Sequence, residues 1–476
     1  MKYDYDLMVI GGGAAGLVAA TGGAALGART ALVERSRLGG DCTWYGCIPS
    51  KALLKAAETF ASIRRLDSFG IRAGSANTYD PAGVMDHVRS VVREVSGHHP
   101  ASLFEERGIR VIFGEGKFLD GNTYEVDGRP LRARRFILTM GSHPVVPPVE
   151  GLAGLDYLTN ETIFDLESLP KSLAVLGGGP IGAEMAQAFS RLGVGVSIVE
   201  MAQRLLFRED SEISGVFSSS LEAEGIGIYT GKKAVAFRQE ADGAVVTLED
   251  DEKKRLDIRA EKVLVAAGRG ANVSGLDLEK AGIRYSAKGV EVDAALRTSN
   301  PAVYAAGDVA GPYQFSHMAE YQAIVAVGNA LFPFKQKVNY SAVPWCTFTE
   351  PEVARLGLTE DQARGKYAGV KVYRSQYRAN DRAVTDRAAT GFAKVVCNRR
   401  GMILGAHVIG AHAGETIHEY VVAKNNKLSL GKLSSSIHVY PTLAQVVKRS
   451  GDQYVMEILS AGWFKALTRF LLKFLR

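Results

Sequence analysis

At 476 residues, 46% hydrophobic and 23% charged, the chain has the makeup of an ordinary globular protein with room for about three domains. The net charge of +6 is mild, and four positive charges (Lys465, Arg469, Lys473, Arg476) fall in an acid-free stretch at the very end, which excludes a nucleic-acid footprint. No apolar run reaches the roughly 18 residues needed to span a bilayer, and 4 cysteines are too few for a disulfide framework at this length. The first apolar run begins at Tyr5, so no signal peptide is expected and a reducing cytoplasm is the expected address.

Leu7-Met8-Val9-Ile10 reads as a short strand, followed at once by Gly11-Gly12-Gly13-Ala14-Ala15-Gly16 and a small-residue helix over Leu17-Val18-Ala19-Ala20. A second strand, Thr30-Ala31-Leu32-Val33, ends at Glu34. This order has a physical logic. Gly11 allows a tight turn, Gly13 lets the backbone approach a pyrophosphate, Gly16 allows helix–strand contact, and Glu34 binds ribose hydroxyls. Strand before, helix after and acid on schedule make a dinucleotide fingerprint.

Cys42 and Cys47 come next, inside Gly39-Gly40-Asp41-Cys42-Thr43-Trp44-Tyr45-Gly46-Cys47-Ile48-Pro49-Ser50-Lys51. A bridge this close in sequence does little to restrict the unfolded chain, so its value lies in being made and broken. Pro49 suits an early helical position and Ala52-Leu53-Leu54-Lys55-Ala56-Ala57 favours helix. Cys47 therefore sits near a helix N-terminus, whose partial positive charge favours a thiolate, and Lys51 adds a formal charge one turn later.

The strand–glycine–helix–acid pattern recurs: Ser172-Leu173-Ala174-Val175-Leu176, then Gly177, Gly179 and Gly182, a helix from Ala183 to about Arg191, and Val196-Ser197-Ile198-Val199 ending at Glu200. Two fingerprints imply two dinucleotides and an α/β chain with two doubly wound, Rossmann-like units. Glu200 should accept from both ribose hydroxyls and repel a 2′-phosphate, which favours NADH over NADPH; Arg204 nearby is the opposing feature. Gly268 is a further expected cofactor-binding position. The charged stretch Glu249-Asp250-Asp251-Glu252-Lys253-Lys254 reads as a hairpin turn on a solvated loop.

With these motifs in hand, the chain resembles the pyridine nucleotide-disulfide oxidoreductases, the group of dihydrolipoamide dehydrogenase, glutathione reductase and mercuric reductase. Thr139-Met140-Gly141-Ser142 resembles that family's flavin-domain exit segment. Thr298 to Asp308, with Gly307, resembles its second FAD segment, in which Asp308 would hold the ribityl chain. Lys51 and Glu184 would be the pair beside the flavin, and Val343-Pro344-Trp345-Cys346 resembles the start of its dimer-interface domain. The resemblance implies an FAD domain (1–150 and 276–338), an inserted NAD(P) domain (151–275), an α+β dimerisation domain (339–460) and a homodimer whose active site is shared between subunits. It also implies electron flow from NAD(P)H through FAD to the Cys42–Cys47 disulfide, with Cys47 as the thiolate facing the flavin and Cys42 as the interchange thiol.

The acceptor end departs from the pattern. Dithiol-handling relatives carry His-x-His-Pro-Thr and a later glutamate, where this chain has His438-Val439-Tyr440-Pro441-Thr442-Leu443-Ala444-Gln445. A phenol is a poor base at neutral pH, and Gln445 offers no carboxylate to orient one. Tyr440 resembles mercuric reductases instead, whose soft metal acceptor needs thiolates more than a proton shuttle. These 476 residues contain no vicinal cysteine pair of the kind usual at the C-terminus of those enzymes, and their usual N-terminal metal-binding domain is not expected. Cys346 and Cys397 read as small core residues, and no resident metal site is expected. His438 fits either an approach to the acceptor or packing at the subunit interface.

In the tail, 461–476, the four bases fall on about a quarter of a helical circumference, opposite Trp463, Leu467, Phe470, Leu471 and Phe474. That pattern fits a weak peripheral membrane contact and equally a helix docked on its own domain or on the dimer partner. The leading expectation is a mercuric-reductase-like enzyme passing electrons to a disulfide or soft metal ion. The alternatives are a dihydrolipoyl dehydrogenase, a membrane-surface NADH:quinone-type reductase, and a non-enzymatic flavin-containing redox sensor.

Overall fold

The apolar run ending at Ile10 is the strand β1 (Tyr5–Ile10) in a computed structural model that describes residues 2–72 and 79–475. The fingerprint loop leads into α1 (Ala14–Ala25), then β2 (Thr30–Glu34), the short α2 (Gly40–Trp44) and the long α3 (Cys47–Arg64). Four strands follow: β3 (Ile109–Phe113), β4 (Gly116–Asp120), β5 (Thr123–Val126) and β6 (Arg129–Leu138). The chain gathers into two compact units: Met1–Gly177 with Val235–Val246 and Ile258–Asn339, and Gly178–Ala234 with Thr247–Asp257 and Tyr340–Arg476.

In the first unit β1 pairs in parallel with β2 and β6, and β2 with β3. Val303–Ala305 adds a parallel strand beyond β6, while β5 and β4 extend the sheet as an antiparallel hairpin. Leu7, Met8 and Val9 are wholly buried, as a parallel strand covered on both faces requires. The strand order reverses between β1 and β6, so the loops at their carboxyl ends form the crevice where such sheets take ligands. Gly11 leaves β1 at φ +104°, where a Cβ would lie 2.6 Å from the Thr139 carbonyl oxygen beyond β6. A Cβ on Gly16 would lie 1.7 Å from the Gly11 carbonyl oxygen, so α1 packs here only because no side chain intervenes.

The second fingerprint repeats this geometry. Ser172–Leu176 pairs in parallel with Lys262–Val265, and Gly177 at φ +115° would carry a Cβ 2.4 Å from the Ala266 carbonyl oxygen. In the second unit Gly195–Glu200 pairs in parallel with Gly227–Thr230. The preceding helix, Pro180–Arg191, starts earlier than the apolar pattern alone predicts, because proline suits the first helical position and Gly179 caps it. The charged stretch after Glu249 is a turn, closed by Lys253 N–H donating to the Asp250 carbonyl at 3.0 Å.

The rest of the second unit is an antiparallel sheet in the order Pro344–Thr347, Glu352–Gly357, Ile403–Gly410, Phe392–Cys397, Lys371–Gln376. The helices Ala413–Asn425 and Gln445–Ser460 pack on it around Tyr377, Tyr420, Val395 and Val408. Cys397 lies in this core and Cys346 packs against it, as small apolar residues.

Phe392–Cys397 is buried along its whole length yet carries Lys394, whose Nζ meets Asp210 at 2.9 Å, Glu212 at 2.7 Å and Glu360 at 2.8 Å. The Arg374 guanidinium, followed by Lys394, holds the Glu212 carboxyl down from its ordinary 4.5 to about 2. A depressed carboxyl stabilises the fold fully above pH 4.5 and loses that contribution as the pH falls toward 2. Glu212→Gln should therefore flatten the fall in Tm across that acid range in calorimetry. Lys394→Met takes the ion-pair partner from the buried Asp210 carboxylate and should cost about 3–5 kcal/mol in denaturant unfolding at neutral pH.

Candidate active site

The cysteine segment is laid directly on the first glycine loop. Gly39 N–H donates to the Gly12 carbonyl at 2.9 Å, and a Cβ on Gly40 would sit 2.6 Å from Gly13 Cα. Cys42 follows in α2, and Cys47 is the first residue of α3, at the positive end of an 18-residue helix. Between them the Arg37 guanidinium stacks 3.8 Å from the Trp44 ring centroid and donates to the Tyr45 hydroxyl at 2.5 Å. Lys51 lies one turn into α3, with its Nζ 3.3 Å from Ser50 Oγ.

Both sulfurs stand as thiols in this structure. The hydrogen bond between them, and then burial, push the Cys42 thiol well above its ordinary value, so it holds its proton at neutral pH. Ser316 lies 3.5 Å from Cys47 Sγ, and its hydroxyl also bonds Cys42 in the direction that favours the charged form. It is the first residue of the helix Ser316–Leu331. Ser316→Ala removes a hydrogen bond to sulfur, so the thiol titration of the reduced protein should move up by about one pH unit. Thiolate absorbance followed against pH checks this; an unmoved midpoint would take Ser316 out of the site.

A second cluster ties this segment to the carboxyl ends of the sheet. Asp41, next to Cys42, accepts from Asn160 Nδ2 at 3.1 Å and pairs with Arg269 at 3.1 Å. Arg269 Nε donates to Ser142 Oγ at 2.8 Å, and that hydroxyl donates to Asp308 at 2.5 Å. Burial pushes the Asp308 carboxyl up, against the lowering effects of Ser142 and Arg269. Gly141 and Gly268 both have positive φ beside this cluster, and Gly307 at φ +81° fits against Ala319 and Ala15 of α1. The expected residues Gly141, Gly268, Gly307 and Asp308 thus gather where β6 and Val303–Ala305 end.

The two acids that end the fingerprints behave alike. Glu34 accepts from Gly12 N–H at 2.6 Å and Ser36 N–H at 2.8 Å. Glu200 accepts from Gly178 N–H and Ala202 N–H, both at 2.7 Å. The nearby Arg204 guanidinium is turned to the Phe207 and Glu209 carbonyls, at 3.0 and 3.3 Å. The side-chain-free loop Gly11 to Gly13, the α1 N-terminus with Gly16, and Asp308 together fit FAD, and Gly177 to Gly182 with Glu200 fit a nicotinamide dinucleotide.

In the second unit Glu184 is buried and accepts from Phe348 N–H at 2.8 Å. Tyr440 is 66% exposed and donates to Asp381 at 3.1 Å; that bond pushes its hydroxyl pKa up. His438 has both ring nitrogens engaged by its own chain, Nδ1 by the Ser436 carbonyl at 3.0 Å and Nε2 by Glu419 at 2.9 Å. Gln445 Nε2 donates to the Val439 carbonyl at 3.5 Å. Ser316, Arg269, Asn160, Asp381 and Glu419 are the site residues that motif reading passes over, since each meets its partner through the fold and not through local spacing. Among the described residues there is no cluster of metal-ligating side chains.

Residues 5–323 match the pyridine nucleotide-disulphide oxidoreductase family and residues 343–450 match the dimerisation domain of the same family. The chain is 36% identical over 449 residues to a mercuric reductase of Bacillus cereus, covering 94% of this chain and 71% of that one. It is 37% identical over 458 residues to a dihydrolipoyl dehydrogenase of Thermus scotoductus, covering 94% and 97%. Among solved structures, a Cu(II) complex of the HOCl-induced flavoprotein disulfide reductase RclA from Escherichia coli superposes with a TM-score of 0.85 at 25% identity, covering 95% of this chain and 100% of that one.

Proposed function

The chain belongs to the pyridine nucleotide-disulphide oxidoreductases, flavoenzymes that use FAD and NAD(P)H, and from that premise we propose an NADH-dependent reductase whose Cys42–Cys47 pair serves a soft metal ion in preference to a dithiol or disulfide substrate. The observation that carries the choice is Tyr440. Its hydroxyl is committed to Asp381 and is harder to deprotonate than an ordinary phenol, so it can donate a hydrogen bond but is no base.

FAD, when bound, supplies the two-electron relay between nicotinamide and sulfur. The residues' own part balances simply. The oxidised pair takes up two electrons and one proton, the S–S bond breaks, and Cys42 keeps the proton while Cys47 remains a thiolate. The raised Cys42 pKa and the helix N-terminus at Cys47 support that division. Loss of the Cys42 proton then offers two sulfur ligands to a soft cation, which needs no general acid. One NADH yields two electrons and a proton, so Hg(II) reduced to Hg(0) closes the balance.

Lys51 and Glu184 are assigned to flank the flavin. Glu200 selects the unphosphorylated ribose, and the turning of Arg204 to backbone carbonyls supports that selection. The dimerisation domain makes the enzyme a homodimer, and we assign Tyr440 to the partner subunit's cysteine pair. The same exposed segment carries Ile437 and Val439, apolar side chains that a partner would cover.

An acceptor screen with lipoamide, glutathione disulfide, Hg(II), Cu(II) and quinones, run with NADH and NADPH, tests this. Turnover should be best with NADH and a soft metal ion and should vanish in Cys42→Ser. Quinone turnover that survives Cys42→Ser would replace the proposal with a flavin-only reductase. Tyr440→His with Gln445→Glu restores a base and its orienting acid, and should raise lipoamide turnover by about a hundredfold. No gain would mean that Tyr440 is not what excludes that substrate.

A further inference from the structure

The last helix of the chain is unclaimed by any of this chemistry. Gly462–Phe474 lies beyond the matched dimerisation domain, which ends at residue 450. Its apolar side is open: Trp463 is 64% exposed, Leu467 46%, Phe470 56%, Leu471 52% and Phe474 74%. The aromatic rings meet chiefly one another, Trp463 against Phe464 at 5.5 Å and Phe470 against Phe474 at 4.9 Å between centroids. Lys465, Arg469 and Lys473 occupy the opposite side and are exposed, and no acid occurs after Glu457; Arg476, the fourth base, lies outside the described residues.

We propose that this helix lies in the surface of an anionic lipid bilayer, with its aromatic and leucine side sunk among the acyl chains and its bases among the headgroups. Three features select this occupant. An aromatic-rich apolar stripe backed by basic residues is the pattern of an interfacial helix, in which long basic side chains reach up to the phosphates. A two-fold contact through the apolar side would leave the acid-free basic side with no opposite charge to meet, whereas a layer of anionic headgroups supplies one. Among the described residues no helix is long and apolar enough to cross a membrane, so the contact is peripheral. A single short helix binds weakly, but a homodimer carries two. The inference does not depend on which acceptor the enzyme uses.

The test uses full-length protein and sucrose-loaded vesicles, either pure phosphatidylcholine or equal parts phosphatidylcholine and phosphatidylglycerol. The wild type should pellet with the anionic vesicles at least about tenfold more strongly than with the neutral ones, because each base near the surface adds to the attraction. High salt should weaken that binding. Leu467→Glu with Phe470→Glu, in the full chain, should abolish it while leaving flavin reduction by NADH and the sedimentation-velocity dimer unchanged. Equal pelleting of variant and wild type, or no pelleting of the wild type, overturns the proposal. A variant that becomes monomeric in the absence of lipid overturns it too, and assigns the face to a second copy.

Discussion

Two stretches of backbone meet without side chains where Gly40 crosses Gly13, and the placement of the reactive sulfurs follows from that meeting. A Cβ at Gly40 would stand 2.6 Å from Gly13 Cα, so the approach tolerates nothing larger than hydrogen. Gly13 caps α1, the helix whose N-terminus forms the nucleotide cradle. The contact that shapes the cradle therefore also sets the start of the segment that carries Cys42. From there α2 and a short turn leave little freedom before Cys47 opens α3. Arg37 on Trp44, and Asp41 between Arg269 and Asn160, restrain what freedom is left. A stacked cation contributes only about 0.5–2 kcal/mol, but these restraints act on the same few residues.

Protons are distributed unevenly around the pair. The neighbouring sulfur, and then burial, keep Cys42 protonated, while the α3 N-terminus favours charge on Cys47. Ser316 sits against both and pulls toward the thiolate. In the second unit Asp381 holds the proton on Tyr440, and His438 is occupied by Glu419 and a carbonyl. On the proposed reading the acceptor side is thus furnished with hydrogen-bond donors and lacks a ready base. That combination suits chemistry in which sulfur binds and no leaving thiolate has to be protonated.

The local parts of this arrangement are legible in the amino-acid sequence and the distant parts are not. Runs such as Ser172–Leu176 declare themselves through unbroken apolar character, and Gly11 and Gly16 through turn and packing demands inside one short unit. Glu34 and Glu200 can be read because they end strands a fixed distance after their glycines. The helix after the second fingerprint starts earlier than apolar periodicity implies, since a proline and a small residue begin it without contributing to the pattern. Asp41–Arg269 and His438–Glu419 are different in kind. Each joins segments that only the finished fold brings together, and a charge in isolation looks the same whether it faces solvent or a partner. Ser316 is hidden for the same reason: it looks like any serine opening a helix until Cys47 is seen beside it.

Glu34 and Glu200 each spend both carboxylate oxygens on amides of their own loops. The cradles are thereby stiffened before any nucleotide arrives, and little ordering remains to be done on binding. The second lone pairs of the same oxygens are what a ribose would use. On the proposed reading, coenzyme choice and loop rigidity reside in a single side chain, Glu200. An ancestor that exchanged Glu200 for a smaller residue to welcome a phosphorylated ribose would have slackened its own pocket in the same step, so a change of coenzyme along this lineage would call for a second, compensating substitution in that loop.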